Sequence, residues 1–382
     1  MTVASGRLAV PLALVAAALT AATATAVTPA TTGAVLDAKL DQIAAAPEGP
    51  PGVSVLVQRN GRVEYRRRGV ADVANRRRPN VHDHARIASM AKAFSGAVAL
   101  ALVEEGRLGL GDTIGERLPG LLPRARQVTL RQALHHTGGL SDYIRDPKFI
   151  AKLQADPTAY LSPRRLVRYV RDKPLRFRPG SRYEYSDTDN IVVGLMAEAA
   201  TGVSYERLLA QLVYRPLGLR ATSLPRTVRM PTPFMRGYEV APGVPPENVS
   251  GVINPALAWA SGGIVSTLSD VNRFFRAYVG GDLFGPAERV AQRRFRPGAS
   301  SPPGPGRNSA GLALFRYRTS CGLVYGHTGS FPGYRLFAAA SSDGRRSVAF
   351  FVNAQIVPGQ GSPTVSNLIR SAQDAAVCHA LR

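Results

Sequence analysis

The sequence predicts an α+β fold in which one antiparallel sheet of about five strands is flanked by helices and joined to a mostly helical second lobe. Three observations predict it. Strand-like alternation joined by tight turns occurs near both ends of the chain. Helical apolar patterns stand outside those strands at each end. The middle, from about residue 101 to 250, is helix-rich and punctuated at Pro119-Gly120, Pro179-Gly180 and Pro242-Gly243. Strands from the two ends can then form one sheet, with the terminal helices covering it.

At the N-terminus Arg7 precedes the apolar run Leu8 to Leu19, and small residues lead to Ala24-Thr25-Ala26. This is the pattern of a secretory signal over residues 1–26, so cleavage after Ala26 and a secreted, extracellular protein are expected, with an uncleaved, membrane-retained signal as the alternative. No later stretch is long and apolar enough to span a bilayer. One domain is expected over residues 34–382.

Leu36, Leu40, Ile43 and Ala44 fall at helical spacing and predict a helix over 34–45, which the turn Pro47 to Gly52 ends. Val53, Val55 and Val57 alternate, Asn60-Gly61 signals a hairpin, and Val63 to Val70 return as its second strand. Three more strands are expected at Leu323 to His327, Tyr334 to Ser341 and Ser347 to Asn353, the last two joined by an Asp343-Gly344 turn. Val365, Leu368, Ile369, Ala372 and Ala376 predict a closing helix. Pro297 to Arg307 reads as an exposed loop.

With 382 residues, 45% hydrophobic and 19% charged, the chain can bury a large core, which excludes a disordered protein. Two cysteines in an exported chain are expected to bridge, Cys321 to Cys378, rather than stay as buried thiols. The formal charge of +22 includes Arg66-Arg67-Arg68 and Arg76-Arg77-Arg78, yet basic residues are spread along the chain and aromatics do not interleave with the clusters. Nucleic acid is therefore excluded as a partner; the charge fits either contact with an anionic envelope polymer or a solvated arginine-rich face.

Ser89-Met90-Ala91-Lys92 places a hydroxyl and an amine one helical turn apart at the mouth of an apolar helix. A serine becomes nucleophilic only when a nearby base takes its proton, and a lysine in a desolvated pocket can help. Of the five lysines, only Lys92 has a serine three residues before it. Tyr185-Ser186-Asp187 lies in a turn before an apolar helix beginning near Ile191, and a phenol beside an ammonium can relay the proton. His327-Thr328-Gly329 falls on an edge-like strand, where glycine permits close approach and backbone N–H groups can face an oxyanion. The tripeptide recurs as His136-Thr137-Gly138, but after a helical pattern, so only the later copy is assigned to the site. His82-Asp83-His84 has no further ligand cluster with zinc spacing, Asp142 has no nucleophile-elbow serine to serve, and no phosphate loop stands out; neither metal nor cofactor is called for.

On these motifs the chain resembles the serine β-lactamase and penicillin-binding-protein superfamily, in its class C and D-alanyl-D-alanine carboxypeptidase branch. The resemblance runs from about Leu36 to the C-terminus. It also takes in Leu134 to Leu140, Arg215-Pro216-Leu217-Gly218 and Ser261 to Thr267. A histidine before Thr328-Gly329, with the two cysteines nearby, is most similar to secreted DD-peptidases. The resemblance implies that Ser89 is acylated, that Lys92 and Tyr185 move protons, and that His327, Thr328 and Gly329 line the acyl site. It also implies an oxyanion hole from the backbone N–H groups of Ser89 and Ser330. Trp259 matches a cleft-lining position and fits a core aromatic equally well. A guanidinium for the substrate carboxylate is expected, with Arg316 or Arg318 as candidates for that role or as surface arginines.

Asp187 departs from the family pattern, which has asparagine. An ionised aspartate can only accept, and its charge favours the ammonium form of Lys92 and opposes a phenolate at Tyr185. Lower peptidase activity or a different acyl group is expected. The implied partners are a small peptide or ester substrate, and β-lactams as acylating mimics, with a monomer as the default. An esterase, a β-lactamase and a non-catalytic penicillin-recognising protein are the alternatives on the same scaffold.

Overall fold

Strands from the two ends of the chain pair edge to edge, as their alternation predicts. The computed structural model describes residues 1–2, 31–59, 61–359 and 361–382. Residues 3–26 of the expected signal, and Asn60 of the expected hairpin turn, lie outside the described residues. Helix α1 (Thr32–Ala45) leads into the hairpin of β1 (Gly52–Arg59) and β2 (Arg62–Gly69). The longer helices of the middle are α2 (Ala91–Glu104), α3 (Pro147–Ala155), α4 (Asp187–Thr201) and α5 (Leu268–Gly280). The chain then forms β3 (Arg296–Pro297), β4 (Arg307–Ala310), β5 (Phe315–Thr319), β6 (Gly322–Phe331), β7 (Tyr334–Ala340) and β8 (Ser347–Val352), and closes with α6 (Pro363–Leu381).

These strands make one antiparallel sheet in the order β2-β1-β8-β7-β6-β5-β4-β3. It has eight strands, not about five. The added strands are β3, β4 and β5. In β5 the apolar alternation of Phe315 and Tyr317 is masked by Arg316 and Arg318, while β3 and β4 are too short to carry a pattern. Pro297 lies on the outermost strand, where a missing N–H costs no ladder bond.

Period-two alternation sends each strand to two cores. Val53, Val55, Val57, Phe350 and Val352 face a layer closed by α1 and α6. Leu56, Leu336, Ala338, Ala349 and Phe351 face the larger core built with α2, α4 and α5. The arginine runs serve these layers. Arg66 and Arg68 pair with Glu64, Asp37 and Asp41, and Arg77 pairs with Asp83 at 2.8 Å. Cys321, in the turn between β5 and β6, is bridged to Cys378 of α6, with Cα atoms 5.1 Å apart. Among the described residues no helix is long and apolar enough to cross a membrane.

Candidate active site

Ser89 sits in a single 3-10 turn, Ala88–Met90, that runs directly into α2. Ala88 is held at φ +51°, a left-handed conformation that alanine adopts only under constraint. The constraint comes from both sides. Ile87 N–H donates to Ile264 O at 3.0 Å, and β6 presses against the turn at Gly329, where a Cβ would lie 2.4 Å from Ile87 O. The glycine thus admits the protein's own backbone rather than a substrate's. β5 pairs with β6 only as far as Gly326, so His327 to Phe331 keep a free edge beside the nucleophile turn.

Lys92, in the first turn of α2, is fully buried. Its Nζ donates to Ser89 Oγ at 3.2 Å, to Asp187 Oδ1 at 2.6 Å and to Ser261 O at 2.9 Å. Three donated bonds use all the protons of an ammonium, so in this state Lys92 is charged and Ser89 Oγ accepts. Asp187 is the first residue of α4, which begins four residues before the expected Ile191. The acids Asp187 and Asp189 occupy its first turn, where the helix dipole favours them.

Tyr185 lies over this pair, its ring centroid 4.8 Å from Lys92 Nζ. Among the described residues its buried Oη has no partner within hydrogen-bonding geometry. Burial, and next the Asp187 charge, push the phenol well above its ordinary range, against a smaller downward pull from Ser89. His327 is buried, and its Nδ1 lies 2.6 Å from Thr328 O, which can only accept. Nδ1 therefore carries the proton and Nε2 is a bare acceptor, buried without a partner among the described residues. Burial pushes this imidazole down to about 3, so it stays neutral. Thr328 Oγ1 donates to Pro302 O at 2.7 Å, so its hydroxyl is turned into the 301–303 loop. Ser330 reaches the cleft, and its Oγ accepts from Gln355 Nε2 at 2.9 Å.

Two cavities meet at the nucleophile, and Ser89, Ile144, Asp187 and Ser330 line both. One, of about 200 Å³, is otherwise apolar. The other, of about 310 Å³, is bounded by Asp142, Arg145, Tyr185, Gln355 and Ser301 to Pro303. The Pro297 to Arg307 loop is therefore not a wholly exposed connector: Ser300 and Pro302 are buried, and its centre walls the cleft.

Two sequence assignments are corrected. Arg316 stands outside both cavities: its Nε donates to Ser309 Oγ at 3.1 Å and its guanidinium covers the Phe295 ring, while Arg145 is the guanidinium at the cleft. Arg318 lies on the same outward-turned positions of β5. Trp259 is a core aromatic, 4% exposed, packed 4.8 Å from the Tyr205 ring.

The earlier His-Thr-Gly, set aside in the sequence, also belongs here. His136 stacks 4.6 Å from the Tyr185 ring, its Nδ1 lies 2.8 Å from Asp189 Oδ2, and its carbonyl accepts from Glu184 N–H at 2.9 Å. Asp142 accepts from the Asp187 N–H at 3.2 Å, and burial with the Asp187 charge pushes its carboxyl up to about 7. Asp83 and His84 of the discarded metal pair are occupied elsewhere, with Arg77 and with Pro233 O.

A profile of the Beta-lactamase family matches residues 40–364. The chain belongs to that family. Within it, the chain is similar to protein flp of Staphylococcus aureus (strain N315), 28% identical over 51% of this chain and 39% of that protein. It is 30% identical to an Escherichia coli (strain K12) protein named for a D-alanyl-D-alanine carboxypeptidase, over 40% of this chain and 35% of that one. The chain thus matches well under half the length of these curated relatives. Among solved structures, a D-stereospecific amidohydrolase from Streptomyces sp. superposes with a TM-score of 0.77 at 28% identity, covering 89% of this chain and 98% of the other. The fold is therefore that of the serine β-lactamase and transpeptidase superfamily, a superfamily of serine hydrolases.

Proposed function

We propose that the protein is an exported serine hydrolase that forms an acyl-enzyme at Ser89, acts on D-alanyl-D-alanine-type peptides, and is acylated by β-lactams as mimics. The observation that carries the reading is the fully buried Lys92 ammonium bridging Ser89 Oγ and Asp187 Oδ1 at the floor of the cleft. Tyr185 is a phenol at rest, so Lys92 is the base once it has lost a proton, which Asp187 takes here and solvent would take were the carboxylate absent. The neutral amine then takes the Ser89 proton as Oγ attacks the carbonyl carbon. Backbone N–H groups of Ser89 and Ser330 stabilise the oxyanion. Tyr185 Oη gives its proton to the leaving amine, and Lys92 and then Asp187 return protons to restore the starting state. Arg145, exposed at the rim of the polar cavity, pairs with the carboxylate that ends such a peptide.

Intact-mass spectrometry with a penicillin, beside release of D-alanine from a D-alanyl-D-alanine peptide, tests this. A covalent adduct that the Ser89→Ala protein lacks, with peptide turnover, is expected. Turnover of esters or amides without peptide cleavage would move the assignment to an esterase or amidase, which the apolar cavity also suits. An adduct equally present in Ser89→Ala sinks the nucleophile assignment.

A further inference from the structure

We infer that Ser89 is acylated preferentially by acyl groups bearing a phenyl- or leucyl-sized apolar side chain, which fills the apolar cavity beside the nucleophile. The inference rests on the acyl-enzyme part of the reading above and not on its alanyl acyl group, whose methyl would fill little of the cavity.

The cavity measures about 200 Å³, with Tyr143, Phe149, Leu153, Ile253, Leu257 and Phe331 as its apolar walls. For scale, an enclosed apolar cavity of about 150 Å³ takes up benzene; this one opens to the cleft and has room for a phenyl ring. A methyl group would leave most of this lining without partner atoms and forfeit their dispersion contacts. A phenyl ring restores them. Among the described residues the only charged one on the lining is Asp187, and Lys92 pairs with it at 2.6 Å. Ser89 and Ser330 stand at the same cavity, so the acyl carbon and the side chain it bears are placed together.

The walls are held by structure outside the cleft. Phe149 and Leu153 are four residues apart on α3 and share a face. Tyr143 Oη donates to Leu257 O at 2.6 Å. The segment carrying Ile253 and Leu257 is pinned by Asn254, whose Nδ2 donates to Thr158 O and to Arg226 O, both at 3.0 Å. A wall so fixed discriminates by size rather than collapsing on a small group. The polar cavity, with Asp142 and Arg145, is left for the leaving group.

The test compares p-nitrophenyl acetate with p-nitrophenyl phenylacetate, each corrected for its rate with hydroxide. In both, Ser89 Oγ bonds to the acyl carbon, the bond to p-nitrophenolate breaks, and the serine proton leaves through the Lys92–Asp187 pair to solvent. Acylation by the phenylacetyl ester is expected to be about 100-fold faster, the scale set by filling an apolar pocket. Ile253→Trp and Leu153→Trp, each at a partly buried wall position, should lower that ratio below about 10 by occupying the cavity. Thermal melts show whether each variant is folded, and either folded variant decides. A ratio near one in the parent, or a ratio that a folded variant leaves intact, overturns the inference while acylation itself stands. No adduct at Ser89 with either ester or with a fluorophosphonate removes the acyl-enzyme reading, and this inference with it.

Discussion

Asp187 adds its charge to burial in raising Tyr185 and Asp142, and it pairs with Lys92. It lies 2.6 Å from Lys92 and adjoins Asp142 through its own N–H. An asparagine there would accept from Lys92 without a charge to hold its proton. Asp187→Asn is expected to speed penicillin acylation about 10-fold, a modest share of what a positioned base supplies, and to move the acid limb of the pH–rate profile downward. Unchanged rates and an unchanged profile would remove Asp187 from the proton path. Asp142 carries a separate consequence for stability. Folded, its carboxyl keeps a proton up to about 7, whereas unfolded it releases it near 3.8. The native state therefore binds more protons between those values, and stability falls as pH rises through that window. Asp142→Asn removes that proton uptake, so its stability relative to the parent should rise between pH 4 and pH 8 in denaturant titrations.

Strand β6 links chemistry to architecture, because its free edge at His327 to Phe331 lies against the turn that holds Ser89. Gly329 is the contact point. Adding a methyl puts Cβ 2.4 Å from Ile87 O, so strand and turn must separate. Gly329→Ala should cost about 1–3 kcal/mol and slow acylation more than it weakens binding, read as a fall in kcat with little change in KM. Other elements were legible to different degrees. The hairpin β1–β2, strands β6 to β8 and helices α1 and α6 follow from apolar spacing and turn residues, although β1, β7 and β8 are buried on both faces. β5 carried the same signal under its arginines. The 301–303 wall had none, because proline, glycine and serine read alike in a solvent loop and in a cleft lining. Across the closing layer, Glu64 of β2 meets His379 of α6 at 2.9 Å and Arg66 at 2.7 Å. The hydrogen bond from His379 first, then that from Arg66, holds this carboxyl down to about 2 from 4.5. Its contribution is complete above pH 4.5 and lost as pH falls towards 2. Glu64→Gln should therefore cost about 1–2 kcal/mol at pH 7, reduced from the full shift by partial exposure, with the difference vanishing in acid.

At the scale of the molecule, the site joins residues from most of the chain, and that sets what sequence could show. Ser89, Lys92, Tyr185 and His327 were readable because each belongs to a short pattern with its own chemistry. His136, Asp142 and Arg145 were not, since each acts through contacts that only the folded chain creates: a ring on Tyr185, a carboxylate on the Asp187 N–H, a guanidinium at the cavity rim. The pairing of Arg66, Arg68 and Arg77 with carboxylates of the chain itself likewise appears only in the fold. The same closure explains the bridge. Cys321 and Cys378 are 57 residues apart in sequence, and their disulfide ties the β5–β6 turn, at the head of the site strand, to the helix that ends the fold. Cross-linking a loop of that length removes unfolded-state entropy worth about 4 kcal/mol at most. Replacing both cysteines by serine should therefore lower stability by about 2–4 kcal/mol in denaturant titrations. The cysteines line neither cavity, so acylation per folded molecule should hold at temperatures well below the melt. A variant that keeps its stability would show that hydrophobic closure of α1 and α6 over the sheet suffices alone. One that stays folded but loses acylation would show instead that the bridge sets the position of β6 against the Ser89 turn.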